Sequence, residues 1–87
     1  MLKREVKINC PIGMQVEPAG RLCDKAVDFK SRIILEQGGR EVNAKSILSI
    51  LGAVLKDGET VQVVCDGPDE DDALECITDV LEKELAG

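Results

Sequence analysis

The sequence predicts an α+β fold, in which a mostly antiparallel sheet carries helices on one face. Four segments have the alternation or the β-branched character of strands, and three segments have apolar residues at the spacing of a helix. Their order along the chain is βαββαβα, for which two packed layers are the stable arrangement. A chain of 87 residues has the length of one small domain, so residues 1–87 are expected to fold as a single domain.

The first strand and the first helix flank a break at Pro11 and Gly13. Residues 4–10 alternate polar and apolar side chains, which indicates a half-buried strand. Its inward-facing residues are predicted to be Val6, Ile8 and Cys10. An amphipathic helix of about three turns is predicted from Pro18, which suits a first turn because a backbone N–H has no partner there. The apolar residues of this helix are Ala19, Leu22, Cys23, Ala26 and Val27.

A hairpin and a short helix are predicted next. Gly38 and Gly39 supply the positive φ angles that a two-residue turn requires. They connect an apolar run at residues 33–35 to a short strand at 40–43. Ser46 is expected to be the N-cap of the helix that follows, because its hydroxyl can accept a first-turn N–H.

The last two elements are a strand and the longest helix. Residues 59–66 follow a turn at Asp57-Gly58, are rich in β-branched side chains and contain no proline, which suits a central strand. The final helix is predicted to bury Ala73, Leu74, Ile77, Val80 and Leu81. Four acids at positions 69–72 occupy its start, where the macrodipole favours negative charge. Clustered carboxylates can also bind a hard cation, but these lack the spacing of an EF-hand loop, so charge complementarity is the favoured interpretation.

The charge of the chain argues against several classes of function. Its 17 acidic and 11 basic side chains give a net charge of −6, which disfavours a nucleic-acid interface and docking on anionic lipid. No apolar run approaches the ~20 residues of a membrane span. The N-terminal stretch lacks the apolar region of a signal peptide, so a cytoplasmic protein is expected.

Four cysteines, at positions 10, 23, 65 and 76, are predicted to be small buried hydrophobic residues. They form no C-x-x-C pair and the chain contains no histidine, so no metal site is predicted. A reactive thiol needs an exposed, electropositive setting, whereas these thiols fall at apolar positions of an acidic protein. Neither an enzyme nor a cofactor is therefore expected.

The stretch GMQVEPAG at residues 13–20 has the form of a helix start, whose free N–H groups often bind an anion. Glu17 places a negative charge in the first turn, which suits the helix dipole and discourages a second anion. Gln15 has no basic nitrogen, and Cys10 is the only nucleophilic side chain within five positions of it. The favoured interpretation is a self-capped helix start, with an anion site as the alternative.

The second helix has a wide apolar arc. At about 100° per residue the arc covers roughly 160°, against nearer 100° for the core-facing stripe of a surface helix. It comprises Ile47, Leu48, Ile50, Leu51, Val54 and Leu55. The surplus is either buried at an edge of the sheet or exposed as a docking patch. Ser46 is either an N-cap alone or also a phosphoacceptor, since a phosphate is tolerated at a helix N-terminus and Lys45 is adjacent.

Three stretches resemble segments of the HPr family of the bacterial sugar phosphotransferase system. GMQVEPA at 13–19 is similar to the active-site segment of the family, and VNAKSILSIL at 42–51 is similar to its regulatory serine segment. Residues 60–77 resemble its last strand, acidic turn and final helix. The resemblance spans essentially the whole chain and implies an open-faced β-sandwich, with a four-stranded antiparallel sheet and three helices on one face.

Two replacements distinguish the chain from the phosphocarriers of that family. There, a histidine accepts a phosphoryl group from enzyme I and a neighbouring arginine steadies it, whereas the matching positions here are Gln15 and Glu17. An amide lacks the basic nitrogen, with a pKa near ~6.5, that imidazole uses, and Glu17 would repel a phosphate. Phosphoryl transfer through this site is therefore excluded. The catabolite repression HPr subgroup also has glutamine for the histidine, although it keeps an arginine at position 17.

The resemblance to that subgroup implies a regulatory adaptor. It implies that an HPr kinase/phosphorylase phosphorylates Ser46, and that the product docks on a transcriptional regulator of the catabolite control type and promotes DNA binding by that partner. The docking patch would comprise Ile47, Leu48 and Leu51. The alternative is a constitutive interaction domain that is not phosphorylated and has a different partner. An HPr-like first strand can exchange between chains, so a monomer or a strand-swapped dimer is expected.

Overall fold

The computed structural model describes residues 1–86, and its elements follow the predicted order. They are β1 Leu2–Lys7, α1 Val16–Ala26, β2 Arg32–Gln37, β3 Arg40–Asn43, α2 Ile47–Gly52, β4 Thr60–Asp66 and α3 Glu70–Glu82, with a 3₁₀ turn at Glu84–Ala86. The strands form one antiparallel sheet in the order β1-β4-β2-β3, which confirms the α+β class and the open-faced sandwich. Within residues 1–86, no helix is long and apolar enough to cross a membrane.

β4 lies inside the sheet, as its β-branched, proline-free sequence predicts. It pairs with β1 on one side and with β2 on the other. The register places Val61 opposite Val6, and Val63 opposite Leu35. These four side chains are buried on the face that the helices cover. The five predicted core residues of α3 are buried as well, namely Ala73, Leu74, Ile77, Val80 and Leu81.

The predicted hairpin between β2 and β3 is confirmed. Gly38 and Gly39 have φ angles of 57° and 81°, the left-handed conformation that a tight turn between twisted strands needs. The register continues to Gln37 opposite Arg40, so the loop contains only the two glycines.

β1 ends at Lys7, three residues before its predicted end. The inward alternation continues, since Ile8 and Cys10 are buried, but the hydrogen bonding changes. Ile8 N donates to the Glu59 carbonyl at 2.8 Å, and Cys10 N donates to the Asp57 carboxylate at 2.8 Å. The strand therefore stops where a side chain replaces the backbone ladder.

The end of α1 also differs from the prediction. The helix ends at Ala26, and Val27 is its C-cap, with an N–H that donates to the Cys23 carbonyl at 3.0 Å. The Val27 side chain is exposed, so its placement on the apolar face was wrong. Helical periodicity does not extend past the cap, which is why the pattern misplaced this residue.

Two of the four cysteines depart from the predicted burial. Cys10 and Cys65 are buried, whereas Cys23 and Cys76 are half-buried, and all four thiols are free. Burial raises the pKa of the Cys65 thiol to about 11 and also raises the pKa values of Cys10 and Cys76. These three thiols are therefore protonated at neutral pH and are poor nucleophiles.

Thr78 is buried in α3, and its hydroxyl oxygen has no hydrogen-bond partner among residues 1–86. A buried polar group without a partner costs about 1–3 kcal/mol, and valine has nearly the same shape without the hydroxyl. We expect Thr78→Val to raise the free energy of unfolding by about 1 kcal/mol in urea denaturation. Thr78→Ser keeps the hydroxyl and loses a buried methyl group, so it is expected to lower the free energy of unfolding. A valine variant less stable than wild type would indicate that the hydroxyl is hydrogen-bonded in solution.

Candidate functional site

The start of α1 places Gln15 at the surface. Gln15 is the N-cap, with extended backbone angles of φ −92° and ψ −173°, and it follows Gly13 at a φ of 84°. Its side chain does not cap the helix, because the amide nitrogen donates back to the Ile12 carbonyl at 3.2 Å. The predicted self-capped start is therefore wrong in one respect. The Gln15 side chain makes no hydrogen bond to the N–H groups of the first turn.

Glu17 is paired within its own helix. Its carboxylate accepts a hydrogen bond from Arg21 Nη2 at 2.9 Å, one turn further on, while 76% of the Glu17 side chain stays exposed. Arg21 Nη1 donates to the Glu84 carbonyl at 2.9 Å, which ties α1 to the C-terminal turn. A negative charge in the first turn suits the helix dipole, and the pair has the favourable i, i+4 spacing. Position 17 is therefore an acidic surface site that would repel a phosphate.

The groups around the start of α1 do not include an activated nucleophile in the part of the chain that the structure describes. Cys10 is fully buried, and its thiol donates to the Gly13 carbonyl at 3.2 Å. Burial raises the pKa of this thiol, which keeps it protonated. The start of α1 thus offers backbone N–H groups and contact surface, without a side chain that could carry a phosphoryl group.

Ser46 caps α2, as predicted. Its backbone is extended, with φ −122° and ψ 113°, and its Oγ accepts the backbone N–H of Ser49 at 3.2 Å. The N–H of Ser46 donates to the Asn43 carbonyl at 3.0 Å, which joins the cap to the end of β3. A cap of this kind stabilises a helix by ~1 kcal/mol. The hydroxyl lies where a phosphate would meet the first-turn N–H groups of α2.

Lys45 is not placed as a counter-charge for Ser46. Its Nζ donates to the Phe29 carbonyl at 2.6 Å, beyond the end of α1. Its backbone N–H donates to the Asn43 side chain at 2.9 Å, and its carbonyl accepts from the Cys23 thiol at 3.4 Å. Lys45, adjacent to Ser46 in the sequence, thus directs its ammonium to the loop after α1 in the unphosphorylated protein.

α2 is shorter than its apolar pattern predicts. It ends at Gly52, and Arg40 from β3 donates through Nη2 to the Ala53 carbonyl at 2.8 Å. Val54 follows with a φ of 53°, so Val54 and Leu55 lie outside the helix, although the pattern placed both on its arc. The arginine that fixes this end comes from a neighbouring strand, which the local spacing does not reveal.

The three residues of the predicted docking patch differ in exposure. Leu48 is 78% exposed, whereas Ile47 and Leu51 are half-buried against the core. Ile47 lies close to α1, since a Cβ built at Gly20 would be 3.8 Å from Ile47 Cδ1. Val16 on α1 is 67% exposed. Part of the apolar arc is therefore at the surface, with Leu48 as its most accessible member, and its docking role stays a prediction.

The acids at positions 69–72 have two different roles. Glu70, the first residue of α3, accepts the Gly67 N–H at 3.1 Å and lies in the first turn, as charge complementarity predicts. Asp69 instead accepts the backbone N–H groups of Lys30 and Ser31, each at 2.9 Å, and the Ser31 hydroxyl. Residues 1–86 contain no cluster of side chains that could hold a metal ion. Asp69 therefore fixes the approach to β2, and the three acids that follow lie in the first turn of α3.

Asp69 predicts a dependence of stability on pH. Hydrogen bonds from the Ser31 hydroxyl and the Lys30 backbone lower the pKa of its carboxyl from 3.8 to about 2. Because the pKa is lower in the folded state, the ionised carboxylate stabilises the fold above about pH 4, and this contribution is lost as the pH falls towards about 2. We expect the stability difference between wild type and Asp69→Asn, measured in urea, to be constant near neutral pH and to shrink across that window. A difference independent of pH would contradict this.

The sheet, the three helices and the two helix starts, at Gln15 and at Ser46, all lie within the match to one protein family. The family model described as "PTS HPr component phosphorylation site" matches residues 2–83. The chain therefore belongs to the HPr family, whose members are phosphocarrier and regulatory proteins and not enzymes.

Within the family, the chain is similar to proteins called Crh. It is 33% identical over 84 residues to the HPr-like protein Crh of Halalkalibacterium halodurans, covering 97% of this chain and all of that protein. HPr-C-His of Thermoanaerobacter tengcongensis superimposes with a TM-score of 0.93 at 29% identity, covering 100% and 98% of the two chains. The catabolite repression protein Crh of Bacillus subtilis, described as a dimer with a swapping domain, gives a TM-score of 0.76 at 32% identity and 93% coverage of each chain.

Proposed function

We propose that this protein is an HPr-like regulatory adaptor, switched by phosphorylation of Ser46 and acting by protein–protein binding in carbon catabolite regulation. The observation that carries the proposal is the pairing of two features. The carrier position is occupied by Gln15, which cannot accept a phosphoryl group, while Ser46 is a partly exposed N-cap two residues before the exposed Leu48. The similarity to proteins called Crh supports the same function.

An HPr kinase/phosphorylase is the proposed enzyme, and Ser46 Oγ is the proposed acceptor. The hydroxyl oxygen forms a bond to the γ-phosphorus of ATP while the bond from that phosphorus to the β–γ bridging oxygen breaks, which releases ADP, and the hydroxyl proton passes to a general base of the kinase. The phosphate would add nearly two negative charges at the start of α2, where the first-turn N–H groups stabilise them. Because Lys45 Nζ donates to the Phe29 carbonyl, the phosphate is expected to bind a basic residue of the partner.

The proposed partner is a transcriptional regulator of the catabolite control type, which would meet Ile47, Leu48 and Leu51 together with the phosphate. Glu17 differs from the arginine of the related subgroup, so the partner is expected to present a neutral or basic surface at that position. Exchange of β1 between two chains would give the strand-swapped dimer as an alternative to the monomer.

Incubation with HPr kinase/phosphorylase and ATP, followed by intact-mass measurement, tests the phosphorylation. We expect wild type to gain the mass of one phosphoryl group, and Ser46→Ala to gain none. Ser49→Ala is the matched control, because Ser49 Oγ lies one turn away and accepts the Asn43 N–H. An unchanged wild-type mass, under conditions that modify ordinary HPr, would refute the proposal.

A constitutive interaction domain is the second candidate. The exposure of Leu48 favours it, since this apolar side chain is accessible without any modification. In that case Ser46→Ala and wild type would recover the same partner in equal amounts. Loss of the partner in the alanine variant would exclude this candidate.

A further inference from the structure

The open face of the sheet, on the side away from the helices, has an apolar centre. Successive side chains of a strand point to opposite faces, so Val64 on β4 and Ile34 on β2 point away from their buried neighbours Val63 and Leu35. The register places Val64 and Ile34 opposite each other. Although they lie on the open face, they are only 9% and 7% exposed. Other side chains of this face therefore shield them from water.

Two ion pairs supply this shield. Lys3 on β1 reaches Glu36 on β2, with 3.9 Å between the charged N and O atoms, and this pair crosses β4. Arg32 on β2 reaches Glu41 on β3 at 3.6 Å. Together with the two apolar side chains, the four charged side chains line a cavity of about 100 Å³. The open face thus contains a small cavity with an apolar floor and charged walls.

The charges around this cavity are loosely paired. Both N–O distances are longer than the ~3.2 Å of a good N–H···O hydrogen bond. Glu36 and Glu41 also lie directly opposite each other in the register, where like charges destabilise a sheet. A ligand ammonium between these two carboxylates would relieve their repulsion. A ligand carboxylate would likewise find a guanidinium, that of Arg32, which its own partner does not approach closely.

We infer that this cavity binds a free amino acid with a short aliphatic side chain. The ammonium of the ligand lies between Glu36 and Glu41, and its carboxylate accepts hydrogen bonds from the guanidinium of Arg32. Its side chain packs on Val64 and Ile34 and removes the remaining apolar surface of the floor from water. Each of the three parts of the ligand thus meets a different part of the lining.

The charge and the size of the cavity select this class of ligand. The two basic and the two acidic side chains of the ion pairs balance, and Asp66, which also lines the cavity, is paired with the Met1 ammonium at 3.7 Å. A balanced lining favours neither a simple anion nor a simple cation, whereas a zwitterion meets both signs. A water-sized group needs about 10–15 Å³, so the cavity has room for roughly seven to ten of them. That matches a molecule of the size of L-valine and is too small for a peptide segment.

Titration of the ¹⁵N-labelled protein with L-valine, followed by NMR, tests this inference. We expect the amide signals around the cavity to shift and to saturate with a Kd on the order of 1 mM, which suits a ligand of about eight non-hydrogen atoms. Arg32→Gln and Glu41→Gln are each expected to weaken binding about tenfold or more. Glu5→Gln is the matched control, because Glu5 is an exposed carboxylate on the same face that does not line the cavity, and it should bind as wild type does.

Two analogues separate a zwitterion site from a site for a single charge. Isovalerate lacks the ammonium of L-valine and isobutylamine lacks its carboxylate, so neither is expected to give saturable shifts. Either analogue binding as tightly as L-valine would overturn the inference, and so would the lack of saturable shifts with L-valine up to about 20 mM. Equal weakening in Glu5→Gln and Arg32→Gln would show a general effect of surface charge and would overturn it too.

This site goes beyond the proposed function and does not depend on it. The cavity lies on the face of the sheet away from the helices, so Ser46 takes no part in it. Ser46→Ala is therefore expected to bind L-valine as wild type does. A negative kinase assay would remove the proposed switch and leave this inference standing, whereas a negative titration would do the reverse.

Discussion

Replacing Gln15 by histidine and Glu17 by arginine is expected to create a phosphoryl acceptor that the wild-type protein lacks. Gln15 is the exposed N-cap of α1, ahead of N–H groups that its side chain leaves free. Imidazole has the basic nitrogen that an amide lacks, and arginine removes the repulsion of the Glu17 carboxylate. We expect enzyme I with phosphoenolpyruvate to label the double variant towards one phosphoryl group per chain, and to leave wild type unlabelled.

The matched control for phosphoryl acceptance is the double variant Gln15→Asn and Glu17→Arg. It places a positive charge at position 17 but no basic imidazole nitrogen at position 15. Gln15→His alone separates the two contributions and is expected to be labelled more slowly, because Glu17 still faces the phosphate. Labelling of wild type or of the asparagine control would contradict the assignment of Gln15 as a replaced acceptor. Absence of label on the double variant, when ordinary HPr is labelled in the same reaction, would contradict it too.

Gly67→Ala is expected to be strongly destabilising. Gly67 has a φ of 155°, and a Cβ there would lie 2.6 Å from Ser31 Cα. Ser31 is fully buried and its N–H is bound to Asp69, so the backbone that meets the new methyl group cannot move away without breaking that link. We expect the free energy of unfolding to fall by about 3 kcal/mol or more, since overpacking and an unfavourable φ each cost about 1–3 kcal/mol. Urea denaturation of the purified variant measures the loss.

Gly39→Ala is the control for Gly67→Ala. Gly39 also has a positive φ, of 81°, but a Cβ there would meet nothing within 4 Å. Its expected loss of stability is therefore the conformational cost alone, about 1–2 kcal/mol. The difference between the two variants isolates the clash with Ser31. Equal losses would show that residue 67 and Ser31 are not in close contact.

Local sequence patterns predicted the elements of this fold because each pattern depends on neighbours in the chain. Alternation identified β1, β-branched composition identified β4, a double glycine identified the hairpin, and helical spacing identified the buried face of α3. The ends of elements were predicted less well because they depend on distant residues. β1 stops where Asp57 accepts the Cys10 N–H, and α2 stops where Arg40 binds the Ala53 carbonyl.

The candidate site was predictable where residue identity alone decides the chemistry. The lack of histidine, the amide at Gln15 and the cap at Ser46 are all visible in the sequence. The hydrogen bond from Lys45 to the Phe29 carbonyl is not visible, because it joins the loop before α2 to the loop after α1. The left-handed backbone conformation of Val54 could not be predicted from the sequence either, because β-branched residues rarely adopt it.

The most direct test of a Ser46-switched adaptor is a calorimetric titration of a catabolite control repressor with the phosphorylated and the unphosphorylated protein. We expect the phosphorylated form to bind about 100-fold more tightly, near the upper end of typical coupling between two sites. Ser46→Ala, treated identically with kinase and ATP, is expected to bind like the unphosphorylated form. Equal affinities of the two wild-type forms would contradict the switch and would favour a constitutive interaction domain.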